Sequence, residues 1–187
     1  IFLSVDNVDR RDRATLDKIG VNVSFCDAHI SRNASTYIKY FSKGILTKFE
    51  VFRLALSYDI VAWLDSDQIC IKELVDIIDN LDKGLAITDG GPASNGWSNF
   101  TQNPVRVIEY CKKTNVSMSP RGLCGNFLII SNLTNESIYN ESKQLFYQLQ
   151  SELYGGEQGI IYILIQRHFS DYYALDHAKF TPHPNQY

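Results

Sequence analysis

Trp63-Leu64-Asp65-Ser66-Asp67 places two carboxylates one residue apart, directly after an apolar run from Asp59 to Leu64. In an open α/β sheet, ligands bind in the crevice beyond the carboxyl ends of the strands. Two unpaired carboxylates this close repel, and one of them would hold a proton. A hard divalent cation, which takes oxygen ligands, removes that conflict. Asp65 and Asp67 are therefore candidate ligands for Mn²⁺ or Mg²⁺. The bland alternative is a turn in which an aspartate caps the helix that follows. A bare pair of acids is common, so it is the position after a buried strand that favours the metal.

Other reactive side chains say less. Cys26, Cys70, Cys111 and Cys124 form no C-x-x-C pair, which leaves a zinc or thioredoxin-type site with little support. Buried thiols are the simpler expectation, and a disulfide-bonded exported domain stays open. N-x-S/T sequons begin at Asn22, Asn33, Asn99, Asn115, Asn132, Asn135 and Asn140, more than chance placement would give. A sequon matters only in a secretory lumen, and Asn and Ser also serve as turn and cap residues. A cytoplasmic setting is favoured, with an ER or Golgi lumen as the other reading.

The elements that must position these residues follow from periodicity. Residues 1–5 read as a short buried strand, Asp9–Ile19 as a helix stopped by Gly20, and Val21–Cys26 as an alternating strand. Strand, helix and strand in this order make a βαβ unit, hence parallel strands and an α/β fold. Asp27–Gly44 reads as loop with a short helix. Thr47–Tyr58 reads as a helix with a capping box from Thr47 and Glu50. The run from Asp59 to Leu64 is expected to be a central strand covered on both faces. A helix over Glu73–Leu81 and a strand over Gly84–Thr88 follow. Asp89–Asn103, rich in Gly, Pro, Asn and Ser, is too long for a tight connection and reads as a functional loop or a disordered one. Pro104–Asn115 is a helix with proline at its start, and Phe127–Ile130 is a strand. Glu136–Leu153 and Glu157–Phe169 are helices parted by Gly155-Gly156, and Tyr172–Tyr187 reads as irregular.

With 187 residues and ordinary composition (44% hydrophobic, 21% charged), the chain suits a single domain, residues 1–187, able to fold without a disulfide or metal. No apolar run is long enough for a transmembrane helix. A net charge of −3 without Lys/Arg runs argues against nucleic acid as the main partner. Ile1 opens directly in an apolar run and Tyr187 ends as abruptly, so flanking segments are expected at both ends.

Several segments together carry a resemblance. Ile45-Leu46-Thr47-Lys48-Phe49, then Leu56-Ser57-Tyr58-Asp59-Ile60-Val61-Ala62-Trp63-Leu64-Asp65-Ser66-Asp67 and Glu73-Leu74, resemble the helix, strand and D-x-D segment of family 8 glycosyltransferases, the group of glycogenin and the bacterial lipopolysaccharide hexosyltransferases. Thr88-Asp89-Gly90-Gly91 is similar to that family's loop after the next strand. Gly155-Gly156-Glu157-Gln158-Gly159-Ile160-Ile161 is similar to its G-x-D-Q helix start. The segments come in the family's order and span most of residues 1–170.

The resemblance implies a GT-A (Rossmann-like) nucleotide-sugar-binding fold, with a mostly parallel central sheet flanked by helices. It implies transfer of glucose or galactose from a UDP-sugar, with Mn²⁺ or Mg²⁺, to a glycan or glycoprotein acceptor, with retention. Asp65 and Asp67 would hold the metal. Lys48, Asp65, Ser66, Asp89, Gly90 and Asn126 would bind the donor. Glu157 and Gln158 would line the donor sugar, with Gln158 stabilising positive charge at the anomeric carbon. Read without the resemblance, Lys48 is a solvated lysine, Asp89 a turn residue, and Glu157 and Gln158 a helix start favoured by the dipole. Asp89–Asn103 would be a flap over the donor.

The chain departs from the pattern in places. Glu157 stands where the family has Asp, and the small residues that follow Asn in the family are missing after Asn126, in Cys124-Gly125-Asn126-Phe127. The family's late histidine segment, which supplies a third metal ligand, is not found in this sequence: either that ligand lies beyond residue 187 or His177 or His183 replaces it. Two other readings stand beside the transferase. A haloacid-dehalogenase-type phosphatase also starts from a strand ending in D-x-D, though usually near the N-terminus. A nucleotide-sugar-binding protein without turnover would keep the fold and lose the chemistry.

Overall fold

Asp9 caps the first helix: its side chain accepts a hydrogen bond from the Asp12 backbone N–H at 2.8 Å, satisfying one of the donors a helix start leaves unpaired. This helix, α1 (Arg10–Lys18), is followed by Gly20 at φ +74°, a conformation that glycine adopts without a Cβ penalty. It joins β1 (Phe2–Val5) to β2 (Asn22–Phe25), which pair in parallel with Phe2 opposite Asn22 and Val5 opposite Phe25. The expected N-terminal βαβ unit is formed. The structure, a computed structural model, describes residues 2–5, 8–25, 30–34, 36–65, 68, 70, 73–79, 81–82, 84–92, 104–116, 121–152, 157–169 and 171–180.

The helix expected over Thr47–Tyr58 is built differently. A short α2 (Thr36–Phe41) runs into a 3₁₀ helix over Ser42–Phe49, and α3 (Glu50–Leu54) follows as little more than one turn. Leu46 and Phe49 lie three apart and are both buried, as a turn of three residues requires. Thr47 is buried inside the 3₁₀ helix and α3 starts after Phe49, so Thr47 does not stand at the start of an α-helix as expected. Glu50 instead accepts from Tyr139 Oη and from Arg53 Nε, each at 2.5 Å. Arg53 is a local donor one turn away, while Tyr139 comes from far along the chain.

The main sheet has the order β3-β5-β4-β6, with β3 (Ile60–Leu64), β4 (Leu85–Pro92), β5 (Arg121–Ser131) and β6 (Tyr173–Leu175). β5 enters between β3 and β4 and runs antiparallel to both; only β4 and β6 pair in parallel. The chain is thus α/β with a mixed four-stranded sheet flanked by helices, and the expectation of a mostly parallel sheet is overturned by the placement of β5. The parallel pair β1-β2 forms a second, two-stranded sheet.

β5 and β4 are the strands covered on both faces. Leu128 and Ile130 of β5, with Leu85 and Ile87 of β4, face one core, shared with Phe49, Phe52, Phe146 and Ile160. Phe127, Ile129 and Ala86 face the other, with Ile77, Leu81 and Leu175. This is the period of two that a pleated strand imposes. β3, expected to be central, lies at the sheet edge: Val61 and Trp63 pack on the first core, while Ile60 and Leu64 are exposed. The second core does not reach under it.

α5 (Pro104–Lys113) begins with proline as expected, and α6 (Ser137–Leu149) buries Ile138, Leu145, Phe146 and Leu149 along one stripe. α7 (Gln158–His168) is buried continuously from Gly159 to Ile165, as a helix apolar all round must be. The helix expected over Glu73–Leu81 shrinks to one turn, α4 (Val75–Ile78). The tail expected to be irregular holds β6 and a short α8 (His177–Phe180), because Leu175 and Phe180 fill the second core. β4 runs through Asp89, Gly90 and Gly91 to Pro92, so the start of the proposed flap is strand; residues 93–103 lie outside the described residues, as do Gly155 and Gly156. Among the described residues, no helix is long and apolar enough to cross a membrane.

Candidate functional site

β3 delivers Asp65 to the sheet margin. The Asp65 backbone N–H donates to the Asn126 carbonyl at 3.0 Å, extending the β3-β5 ladder one step past Leu64. Trp63 and Asp65 are two residues apart and so share a side of the strand. The Trp63 indole N–H donates to Asp65 Oδ1 at 2.6 Å.

Lys48 reaches the same oxygen from the last turn of the 3₁₀ helix. Its Nζ is 2.9 Å from Asp65 Oδ1 and 2.5 Å from Glu157 Oε1, and it lies 5.6 Å from the centroid of the Trp63 ring. Glu157 immediately precedes α7 and makes no cap bond with its side chain, which turns to Lys48. Lys48 and Glu157 are only 5% and 8% exposed, so neither is the solvated residue that its sequence neighbourhood allows. Burial pulls the Lys48 ammonium down, but Glu157 and then Asp65 more than offset this, and the group ends above its ordinary 10.5. One ammonium between two carboxylates leaves the cluster net negative.

The floor of the site is an irregularity in β5. Ile87 of β4 stands opposite Leu128, yet the next residue, Thr88, stands opposite Cys124. Gly125, Asn126 and Phe127 of β5 thus have no partner on β4, a bulge of three residues at which the strand is locally re-aimed. Thr88 Oγ1 donates to the Phe127 carbonyl at 3.2 Å, replacing a ladder bond lost there. A Cβ on Gly125 would stand 3.2 Å from Ile161 Cδ1 and at ordinary contact distance, 3.8 Å, from Lys48 Cδ and Nζ, so it is Ile161 that glycine accommodates here. Asn126 Oδ1 is buried with no hydrogen-bond partner. Cys124 is a free thiol, raised first by burial, with Lys48, Asp65 and Glu157 near enough to act on it.

The structure therefore brings together Lys48, Asp65, Asn126 and Glu157, which come from four separate parts of the chain. Gln158 opens α7 beside them. Asp89 and Gly90 lie on β4, with Asp89 opposite Leu123, one rung beyond Thr88 and Cys124. Ser66, Asp67 and His183 lie outside the described residues, and of His177 only the backbone, in α8, is described. Trp63 joins this cluster without having been singled out from sequence; its two-residue spacing from Asp65 on a strand was the signal available. The expectation of buried thiols holds for Cys111, while Cys70 is exposed; Cys70, Cys111 and Cys124 are all free, and Cys26 lies outside the described residues.

Asp65 Oδ1 receives both Trp63 and Lys48, and the side chain is 31% exposed. The described residues contain no group of three or more His, Cys, Asp or Glu able to hold a metal alone; further oxygens must come from Asp67 or from a bound anion. A cavity of about 320 Å³ opens elsewhere, beside Glu141 and Arg167 near the far end of α7, and holds none of the residues singled out from sequence.

Family models, curated proteins and solved structures give no match to this chain.

Proposed function

We propose that this chain is a metal-dependent glycosyltransferase of GT-A type, resembling family 8, which transfers glucose or galactose from a UDP-sugar to a hydroxyl of a glycan or glycoprotein. The observation that carries this reading is the meeting of Lys48, Asp65 and Glu157. Lys48 and Asp65, from one segment of the resemblance, meet Glu157, from another segment far along the chain, in one cluster within hydrogen-bond distance.

In this reading Asp65 and Asp67 would hold Mn²⁺ or Mg²⁺, which would supply charge neutralisation for a departing diphosphate. Lys48, held by Glu157, adds a fixed positive charge for the same anion. Asn126 Oδ1 accepts a donor hydroxyl, and Asp89 and Gly90 bind the sugar from β4. Gln158 stabilises positive charge at the anomeric carbon; an amide is too weak a nucleophile for a covalent route. The acceptor hydroxyl forms its bond to the anomeric carbon on the face from which UDP leaves. The bond from that carbon to the phosphate oxygen breaks, and the hydroxyl proton passes to UDP.

The test is UDP release from a panel of UDP-sugars, with Mn²⁺ and with EDTA, on wild type and Asp67→Ala. Release that prefers one sugar, needs metal and is lost in the variant supports the reading and names the donor. UDP and Mn²⁺ stabilising the fold without release would mean binding without turnover. Neither release nor binding overturns the proposal and returns the D-x-D to a phosphatase reading.

A further inference from the structure

We propose that the cavity of about 320 Å³ between α5, α6 and α7 is a binding site for a neutral saccharide, separate from the Lys48–Asp65–Glu157 cluster. The inference goes beyond the transferase reading and stands or falls without it, since it calls on no residue of that cluster.

Three helices build the cavity. Tyr110 comes from α5, Arg167 from the last turn of α7, and the other walls from α6. Asn140, Gln144 and Gln148 recur every fourth residue and so form one row along α6; all three are exposed and line the cavity. Leu145 lines it too and is buried in the first core, on which Tyr110 also packs. The volume falls at the lower end of the roughly 300–1,000 Å³ of small-ligand sites.

Charge narrows the ligand class. Of the lining residues only Glu141 and Arg167 are charged, and Arg167 Nη1 pairs with Glu141 Oε1. The second carboxylate oxygen, Oε2, meets His168 Nε2. The charges of the wall cancel, so neither an anion nor a cation finds an uncompensated partner. An apolar ligand would cover amides without satisfying them, which costs free energy. What the walls offer is hydrogen bonding in both senses, because each side-chain amide carries two donors and an acceptor oxygen. A row of such amides beside an aromatic ring matches a ligand edged with hydroxyls and carrying an apolar C–H face. A saccharide has both. A solvated helix face shows the same residue types, but here two further helices close them into a concavity.

Arg167 lies near the opposite end of α7 from Glu157, about 15 Å away along the axis. A sugar bound here is therefore not the one held at the Lys48 cluster. Within the transferase reading it is a distant unit of the glycan acceptor.

A single sugar unit in so wet a site binds at about millimolar strength, so saturation-transfer NMR observed on the ligand is the readout. The probes are methyl glucoside, methyl galactoside, lactose and maltotriose, with glucuronate and adenosine as controls. Wild type should transfer saturation to at least one neutral saccharide, and Gln144→Ala and Gln148→Ala should each weaken its binding roughly 10-fold. Both positions are exposed on α6, so these variants keep the fold. UDP with Mn²⁺ should leave the saccharide signal in place. No transfer to any neutral saccharide at about 10 mM overturns the inference. Equal binding in the two variants overturns it too, by placing the sugar elsewhere. Stronger binding of glucuronate or adenosine than of every neutral saccharide assigns the cavity to another ligand and overturns it as well. None of these results bears on UDP release, so the transferase reading is judged separately.

Discussion

Lys48 Nζ lies 2.5 Å from Glu157 Oε1 and thereby ties the end of the 3₁₀ helix to the start of α7 across more than half the chain. Both side chains are almost wholly buried, so the pair is costly to break from one side. Lys48→Met should lower unfolding free energy by about 3 kcal/mol, because it strands Glu157 as a buried acid. Glu157→Gln keeps an acceptor for the lysine and should cost less. Urea unfolding of the two variants beside wild type checks the order; a loss below about 1 kcal/mol for Lys48→Met would contradict it.

Stability at alkaline pH should carry two signatures. Cys111 is raised from 9.0 to about 11, first by burial and against a smaller opposing effect of Arg167. The folded state therefore keeps a proton that the unfolded state loses, and stability falls as pH rises from about 9 towards 11. Lys48 is likewise raised above 10.5, so its contribution is complete below that value and is lost only as pH climbs through the higher folded one. Cys111→Val should flatten the earlier fall and leave the later one. Melting temperatures across pH 8–11 would show it.

Thiol labelling should follow exposure. Cys70 is exposed, Cys124 partly buried and Cys111 fully buried. Only the thiolate reacts, and burial disfavours it at both Cys124 and Cys111. At neutral pH the expected order is Cys70, then Cys124, with Cys111 labelled only on unfolding. Mass spectrometry of timed alkylation reads this, and early labelling of Cys111 would contradict its placement.

Gly90 is set by its neighbours rather than by its backbone angles. An added Cβ would stand 3.0 Å from the Gly122 carbonyl carbon and 3.1 Å from Leu123 backbone atoms. Backbone in a paired strand cannot step aside as a side chain can. Gly90→Ala should cost about 1–3 kcal/mol. Gly125→Ala should cost less, since the Cδ1 of Ile161 can give way. Equal effects in denaturant melts would mean that β4 and β5 are looser here than their pairing implies.

Tyr139→Phe removes one of the two donors to the buried Glu50 carboxylate. A buried acceptor left unsatisfied costs about 1–3 kcal/mol. The loss should be largely recovered in the double variant Tyr139→Phe with Glu50→Gln, whose amide is neutral. A double-variant cycle of melts tests the coupling.

Some of this architecture was legible in the sequence. The alternation of Val21–Cys26 and the glycine at position 20 were enough for the first βαβ unit. The burial of β3 was not legible, because Ile60–Leu64 reads the same at the centre of a sheet as at its edge. What decides is which strand lies beside it, and β5 comes tens of residues later. The helix start expected at Thr47 was misplaced for a similar reason: Glu50 is buried and accepts from Tyr139, which no local pattern shows. In the site, the two-residue face rule could have linked Trp63 to Asp65. The contact of Lys48 with Glu157 has no signature in spacing, and their placement in one site came from the resemblance alone.

The extra residues of β5 have a further consequence. Gly125 and Asn126 belong to no rung with β4, whereas Leu128 to Ile130 are locked to β4 on one side and to β3 on the other. The sheet's alignment is thus fixed a few residues away from the site floor. The side chain at position 126 can thus change while Leu128–Ile130 keep both neighbours. The floor of the Lys48–Asp65–Glu157 cluster is a place where sequence can drift without the sheet losing its register.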